Sequence, residues 1–167
     1  MHTHTITAEE ARQLLDYNPE TGAFIWRVRR TGTACAGNQT GRVNNRGYVE
    51  IKVKNRRYSA HRLAWLMVHG VWPREFIDHI DGNPANNRLN NLREASHTEN
   101  SRNRRMQASN TSGYKGVYWL KAARKWHAQI HKDGRNKHLG LFLTAEEAHA
   151  AYCKAAAELH GEFANFG

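Results

Sequence analysis

Three side chains with complementary chemistry lie close together in the middle of the chain. Asp78 and His79 are consecutive residues at the end of a short apolar run, and Asn100 follows at the start of a predicted helix. One carboxylate and one amide oxygen suit a hard divalent cation such as Mg²⁺ (or Mn²⁺), which keeps waters and takes phosphate oxygens as further ligands. Histidine is the side chain most readily poised as a general base near pH 7. The pattern therefore predicts metal-assisted attack of water on a phosphodiester.

A hairpin and a helix must bring these residues together. The apolar run that carries Asp78 ends in a loop dense in Gly, Pro and Asn, and a second apolar pair follows, which predicts a hairpin. Ser96 and Glu99 form a capping box, in which their side chains bond the first free N–H groups of a helix. The helix should therefore begin at about His97, with Asn100 in its first turn leaning over the hairpin end.

Four short motifs occur here in the order and spacing of a known family: Asp78-His79, Asp81-Gly82-Asn83, Asn90-Asn91-Leu92 and Thr98-Glu99-Asn100. They resemble the HNH (His-Me finger) nucleases, and within them the His-Asn-Asn type found among phage homing endonucleases. The resemblance implies that His79 is the general base and that Asp78 and Asn100 bind one metal. It also implies that Asn91 braces the loop and orients the base. The third position is Asn here rather than His.

Other interpretations of these residues remain open. Asn90 competes with Asn91, and Asn103 with Asn100, because neighbours one strand step or one helical turn apart are hard to separate by sequence. Taken singly, each of these residues could also be a turn former or a polar side chain with ordinary structural hydrogen bonds. An EF-hand calcium loop does not fit, because the acidic positions and the glycine do not fall at its spacing.

The overall charge indicates a polyanionic partner. The chain has 25 Lys+Arg against 15 Asp+Glu, a net charge of +10, and 11 histidines that add charge on acidification. Double-stranded DNA is expected rather than a membrane, because no apolar segment approaches the ~20 residues of a membrane span. Residues 61–100 differ from the rest, since four basic and five acidic groups give this segment a charge of −1. That sign suits a segment that binds a cation.

Cysteine usage and terminal composition narrow the class of protein further. Cys35 and Cys153 form no CxxC pair, which predicts neither a structural zinc site nor a disulfide framework. The amino terminus lacks a secretory pattern, which predicts a cytoplasmic location, in the host cell if the chain is phage-encoded. No small-molecule cofactor is expected. No heptad repeat is visible, so a monomer or weak dimer is predicted.

Small elements are predicted ahead of the nuclease-like stretch. They are a helix over 8–15 after the capping box of Thr7 and Glu10, a strand over 23–29, a hairpin of 48–53 with 57–58, and a helix from 59 to 69. His61, in the last of these helices, is expected to be structural. The arginines of this region either contact phosphate or form a solvated basic face.

The helix that carries Asn100 is predicted to continue to Met106 with three arginines and no acid. In HNH nucleases this helix lies against the DNA. The resemblance therefore implies backbone contacts for Arg102, Arg104 and Arg105 that fix register without reading sequence.

From Gly113 the pattern changes to three strands over 116–119, 125–131 and 137–142, then an alanine-rich helix over 145–160 capped by Thr144 and Glu147. The segments 115–117, 125–130, 139–148 and 159–161 resemble the ethylene-response-factor (ERF) type of DNA-binding domain. In that family the sheet enters the major groove. By position the resemblance implies DNA contacts for Lys115, Tyr118, Gln129, His131, Asn136 and His138. Zinc binding by the clustered histidines is a weaker alternative, because no carboxylate or thiolate is nearby.

The predicted fold class is α+β. A small N-terminal β region leads into a ββα-metal (His-Me finger) motif, and a three-stranded antiparallel sheet packed on one helix follows. The predicted domains are a nuclease domain over 1–108, with its ββα-metal motif at about 75–107, a linker over 109–112 and an ERF-type domain over 113–167.

The predicted function is site-directed DNA endonuclease, homing-type, nicking or cleaving with one divalent metal per site and leaving 5′-phosphate and 3′-hydroxyl ends. Two other functions are compatible with the sequence. One is a DNA-binding transcriptional regulator with an inert nuclease motif, and the other is a structure-selective nuclease for branched DNA. The enzyme is favoured because the base, both proposed ligands and the bracing asparagine are all present.

Overall fold

A computed structural model describes residues 6–29, 35–103, 106, 109–132 and 134–167. They belong to two compact units, Met1–Ser96 and His97–Gly167. All strand pairs in the described ranges are antiparallel. Helices and antiparallel sheets alternate along the chain, so the α+β prediction is confirmed. No helix among the described residues is both long and apolar enough to span a membrane.

The first unit contains two helices and three small sheets. Its elements are α1 Ala8–Leu14, β1 Leu15–Tyr17, β2 Phe24–Trp26, β3 Gln39–Thr40, β4 Arg42–Val43, β5 Val49–Val53, β6 Arg56–Ser59, α2 Ala60–His69, β7 Phe76–His79 and β8 Leu92–Ala95. The sheets are β1-β2-β3, β4-β5-β6 and β7-β8. The predicted strand over 23–29 is shorter than expected, because only β2 pairs with β1 and β3.

Local sequence signals account for the two helices of this unit. Thr7 and Glu10 form the predicted capping box at the start of α1, and α2 ends at Gly70, whose φ of 79° is in the left-handed region that glycine tolerates. Both helices pack on a shared core that includes Phe24, Ile51 and Leu63. This core also contains Ile77 and Leu92, and it therefore anchors the hairpin of β7 and β8.

The second unit begins with a short helix and continues into a sheet covered by a long one. Its elements are α3 His97–Arg102, β9 Val117–Leu120, β10 Lys125–Lys132, β11 Arg135–Phe142 and α4 Ala145–His160. The strand order is β11-β10-β9. Ala128 and Ile130 of β10 are almost fully buried, and the predicted Thr144–Glu147 capping box begins α4. Small alanine side chains on α4 allow the helix to lie close to the sheet.

Helix α3 begins at His97 as predicted, but its continuation to Met106 is wrong. The helix ends at Arg102, and Met106 lies outside any helix. Just beyond this end, the side-chain amide of Asn165 donates to the backbone carbonyl of Asn103 at 2.8 Å and to Oδ1 of Asn103 at 3.1 Å. Arg104 and Arg105 lie outside the described residues.

Candidate active site

Strand β7 ends in the two residues predicted to carry the chemistry. Asp78 and His79 are 4% and 5% exposed, and they lie opposite Arg93 and Leu92 of β8 in the antiparallel register. Residues directly opposite in such a pair share one face of the sheet, whereas successive residues point to opposite faces. The Asp78 carboxylate therefore meets Arg93, whereas the His79 imidazole lies on the opposite face of the hairpin.

Arg93 holds the Asp78 carboxylate in a buried ion pair. Its Nε and Nη2 donate to Asp78 Oδ2 at 2.9 and 2.8 Å, and the two side chains are 15% and 5% exposed. A buried carboxylate is costly unless it is paired and hydrogen-bonded. Arg93 therefore supplies the ion-pair partner of the buried Asp78 side chain and fixes its rotamer. Sequence reasoning missed this residue, although the hairpin register is the signal that would have found it.

Aromatic and imidazole rings surround His79. The His61 ring meets it edge-on with centroids 5.0 Å apart, and the Tyr48 ring lies 5.9 Å away. Burial lowers the pKa of His79 below its ordinary value, although hydrogen bonding to Asn87 and the charges of Asp81 and Asp78 oppose the shift. Burial also lowers the pKa of His61 to about 3. Both rings are therefore neutral at pH 7, and His79 is available to accept a proton.

Asn87 is the side chain that contacts the imidazole of His79. Its Oδ1 lies 3.4 Å from His79 Nε2, at the long limit of a hydrogen bond. The N-terminal β region supports this residue, since Tyr17 Oη donates to the Asn87 carbonyl at 2.8 Å. Gly22 allows the close approach, because a Cβ there would lie 2.6 Å from the Asn87 carbonyl carbon. Sequence reasoning missed Asn87, which is one of several asparagines in the loop.

Asn91 cross-links the loop between β7 and β8. Its Oδ1 accepts from the Asp81 backbone N–H at 3.0 Å, and its Nδ2 donates to Asp81 Oδ1 at 3.0 Å and to the Asn86 carbonyl at 2.8 Å. Burial by itself would raise the pKa of Asp81, but hydrogen bonds from Asn86, Asn83 and Asn91 outweigh it and the pKa lies below its ordinary value. Asn90 next to it is exposed and Asn91 is 8% exposed.

Replacing Asn91 with alanine is expected to lower the free energy of unfolding by about 1–3 kcal/mol, because the Asp81 N–H and the Asn86 carbonyl lose their partner in a buried setting. Urea denaturation of the full chain measures this loss. Asn90→Ala is the matched control and should stay within about 0.5 kcal/mol of wild type. Equal losses in the two variants would contradict the cross-linking role.

Asn100 and its competitor Asn103 belong to the second unit and differ in their surroundings. Asn103 is 4% exposed, and Asn165 donates to both its backbone and its side-chain oxygens. Asn100 lies partly exposed in the middle of α3. The amide oxygen of Asn103 is therefore used within the second unit to hold the chain terminus.

The residues predicted to contact DNA are divided between two places in the second unit. Arg102, Lys115, Tyr118, Gln129 and His131 line one cleft. Asn136 Oδ1 lies 3.0 Å from His131 Nδ1, on the neighbouring strand. His138 lies further along β11, where its Nδ1 is 2.6 Å from Nε2 of His127. The first five residues are thus close enough to act on one ligand.

Comparisons with known proteins identify the middle of the chain. A family model described as HNH endonuclease matches residues 58–102, a range that contains α2, the β7–β8 hairpin and α3. Protein 3.8 of Escherichia phage T7 is 40% identical over 107 residues, which make up 64% of this chain and 88% of that protein. Residues 58–102 therefore form an HNH endonuclease domain. An HNH endonuclease is a phosphodiester hydrolase, so the predicted enzyme class is confirmed.

One further curated protein and one solved structure are similar to this HNH endonuclease. The uncharacterized HNH endonuclease L560 of Acanthamoeba polyphaga mimivirus is 36% identical over 106 residues, 62% of this chain and 54% of that protein. The solved structure of the HNH homing endonuclease I-HmuI aligns with 88% of this chain and 85% of its own, with 19% identity and a TM-score of 0.43.

HNH endonucleases generally use a divalent metal, and the donor set of this HNH endonuclease suits a hard one. Asp78 offers carboxylate oxygen and Asn100 offers amide oxygen, the ligand types that Mg²⁺ prefers. Within the described ranges, no group of three or more His, Cys, Asp and Glu side chains is placed to hold a metal.

Proposed function

We propose that this HNH endonuclease acts on double-stranded DNA with His79 as general base, and that it leaves 5′-phosphate and 3′-hydroxyl ends. The observation that carries the proposal is the His79 imidazole, which is buried beside Asp78 and has a lowered pKa. A neutral imidazole at pH 7 is the form that removes a proton from water. The net charge of +10 suits a polyanionic substrate.

Each residue of the site has a distinct role in this mechanism. An Nε2–H of His79 directed at Asn87 Oδ1 makes Nδ1 the nitrogen that accepts the proton from water. Asp78 and Asn100 would hold one divalent cation, Mg²⁺ or Mn²⁺. That cation supplies stabilisation of the negative charge that develops on the phosphate and the departing 3′ oxygen. Arg93 keeps the Asp78 carboxylate in place, and Asn91 holds the loop that follows His79.

The surroundings of the competing asparagines support this assignment. Asn103 already accepts two hydrogen bonds from Asn165, which favours Asn100 as the metal ligand. Asn90 is exposed, whereas Asn91 makes three hydrogen bonds across the loop, which favours Asn91 as the bracing residue.

The second part of the proposal is a DNA-binding domain of ERF type over 113–167, joined to the nuclease domain over 1–108 by the linker 109–112. A three-stranded antiparallel sheet with one long helix on one face supports this. His131, Asn136 and His138 are exposed on β10 and β11, as a DNA-contacting sheet requires. Such a domain would direct cleavage to a site, consistent with a homing-type role.

Plasmid cleavage by the full chain tests the proposed function. Supercoiled DNA is incubated at low salt with Mg²⁺, with Mn²⁺ or with EDTA, while binding of the same DNA is followed in parallel. Open-circle or linear product with either metal but not with EDTA is expected, and the ends should be ligatable because they carry 5′-phosphate.

Two results of this assay would favour the other functions. Binding without cleavage in every metal indicates a regulator with an inert nuclease motif. Cleavage confined to four-way or flap substrates indicates a structure-selective nuclease, so linear and junction DNA are compared at equal concentration.

A further inference from the structure

The second unit contains a cleft of ≈730 Å³ bounded by α3, the start of β9, the middle of β10 and the end of α4. Its walls combine cations, hydroxyls, amides and a few apolar side chains. The lining includes Arg102, Lys115, Gln129, His131, Tyr152 and His160. This volume is in the range of sites that hold nucleotide-sized groups.

The charges that line the cleft have one sign. Arg102 and Lys115 are basic, and no acidic residue occurs among the described residues of the lining. Lys115 is half-buried, and that burial lowers its pKa to about 8. An ammonium group that has lost part of its hydration regains favourable interaction when an anion binds next to it. The cleft is therefore suited to a negatively charged ligand.

His160 adds a titratable group at the base of the cleft. The residue is 8% exposed, its Nε2 bonds the His131 carbonyl at 3.1 Å, and its Nδ1 is buried without a hydrogen-bond partner among the described residues. Burial is the main cause of its lowered pKa. The bond to His131 opposes the shift, and the charges of Arg102, Lys115 and Lys132 add to it.

The cationic groups are held in position by the fold. Lys115 Nζ donates to the backbone carbonyl of Arg102 at 3.2 Å, which ties the start of the sheet region to the end of α3. Gly116 allows the backbone to pack closely against the Tyr152 ring, because a Cβ at this position would lie 2.3 Å from that ring. A group that is already ordered loses less entropy when it binds a ligand.

We propose that this cleft binds a backbone phosphate of DNA, with Arg102 and Lys115 as the cationic contacts and His160 as the buried group behind them. The inference rests on the proposed function, since it assigns part of the DNA-binding surface. Arg102, Lys115, Gln129 and His131 then position the strand through its backbone, and base reading belongs to the exposed residues further along β11, such as His138.

Helix α3 connects this cleft with the proposed metal ligand. Residues advance by about 100° around an α-helix, so His97, Thr98, Ser101 and Arg102 share one side of α3 and line the cleft. Asn100 falls outside that side. A phosphate bound in the cleft therefore holds the helix that carries Asn100 without occupying Asn100 itself.

The test measures the salt dependence of DNA binding by the full chain in EDTA, where no cleavage occurs. The probe is a fluorescein-labelled 20-base-pair duplex, titrated at several salt concentrations with wild type, Lys115→Gln, Arg102→Gln and Lys154→Gln. Lys154 is the matched control, because it is exposed on α4 and does not line the cleft. Each cleft variant should lower the slope of log affinity against log salt by about 0.9, the value for one phosphate contact, and Lys154→Gln should not.

Equal slopes for all four proteins, or equal losses in the cleft and control variants, would overturn the proposal in favour of diffuse charge attraction. Lys115→Arg should restore the wild-type slope, and far-UV circular dichroism identifies any variant that fails to fold. Displacement of the duplex by inorganic phosphate at matched ionic strength, at concentrations near that of the protein, would assign the cleft to free phosphate instead. If the slope losses are seen but wild type cuts no DNA, the proposed nuclease function is wrong and the phosphate-binding cleft stands. If wild type cuts DNA but the cleft variants show no slope loss, the cleft proposal is wrong and the nuclease function stands.

Discussion

Replacing His79 with alanine is expected to reduce the rate of plasmid cleavage by about 100- to 10,000-fold, because a positioned general base contributes a factor of this size. Binding of the same DNA should change little, since His79 is 5% exposed and contributes little charge at pH 7 with its lowered pKa. The measurement is the single-turnover rate of supercoiled DNA loss with Mg²⁺, with affinity determined in EDTA.

Controls for this prediction come from other histidines of the same unit. His69 is exposed, and its ring lies against Trp65 at a tilt of 34°, so His69→Ala should cut at the wild-type rate. His79→Gln keeps more of the buried volume than alanine and should still fail to cut, which separates lost chemistry from a disturbed fold. Full activity of His79→Ala together with loss of activity in His61→Ala would assign the base to the neighbouring ring instead.

Replacing Arg93 with methionine is expected to destabilise the chain by about 3–5 kcal/mol, because the buried Asp78 carboxylate loses its ion-pair partner. Methionine keeps much of the apolar stem, so the loss reports the guanidinium rather than the packing of its methylene groups. Urea denaturation followed by tryptophan fluorescence measures the free energy of unfolding.

The double variant Asp78→Asn, Arg93→Met tests the source of that loss. Removing the charge from both partners should recover much of the stability, because an uncharged pair costs less to bury than one unpaired carboxylate. Arg88→Met is the matched control on an exposed arginine of the same unit, with an expected change within about 0.5 kcal/mol. A loss below 1 kcal/mol for Arg93→Met would show that the pair has little part in holding Asp78.

Features set by nearby residues were predictable from the sequence. Capping boxes at Thr7 and Thr144 place the starts of α1 and α4, because the donor and acceptor lie three residues apart. Gly70 ends α2 since only its backbone accepts the left-handed φ cheaply. The hairpin of β7 and β8 follows from two apolar runs with a turn-rich loop between them. These interactions are local, so the sequence by itself determines them.

The length of α3 shows where local reasoning stops. The sequence after Asn100 continues as a plausible basic helix, but α3 ends at Arg102. The Asn103 carbonyl just beyond it accepts from Asn165, which is 62 residues further along the chain. No short-range sequence pattern predicts a hydrogen bond between residues so far apart. The same holds for Lys115, whose ammonium meets the Arg102 carbonyl across 13 residues.

The sequence by itself thus determined the enzyme class, the helix starts and the hairpin in which Asp78, His79 and Asn91 lie. Only the tertiary structure decided what surrounds them. Arg93 on Asp78, Asn87 at the His79 imidazole and the edge-on ring of His61 come from separate elements. The physical reason is that backbone propensity and capping act within a few residues. Burial, ion pairing and the resulting pKa shifts depend on which distant segments the folded chain brings into contact.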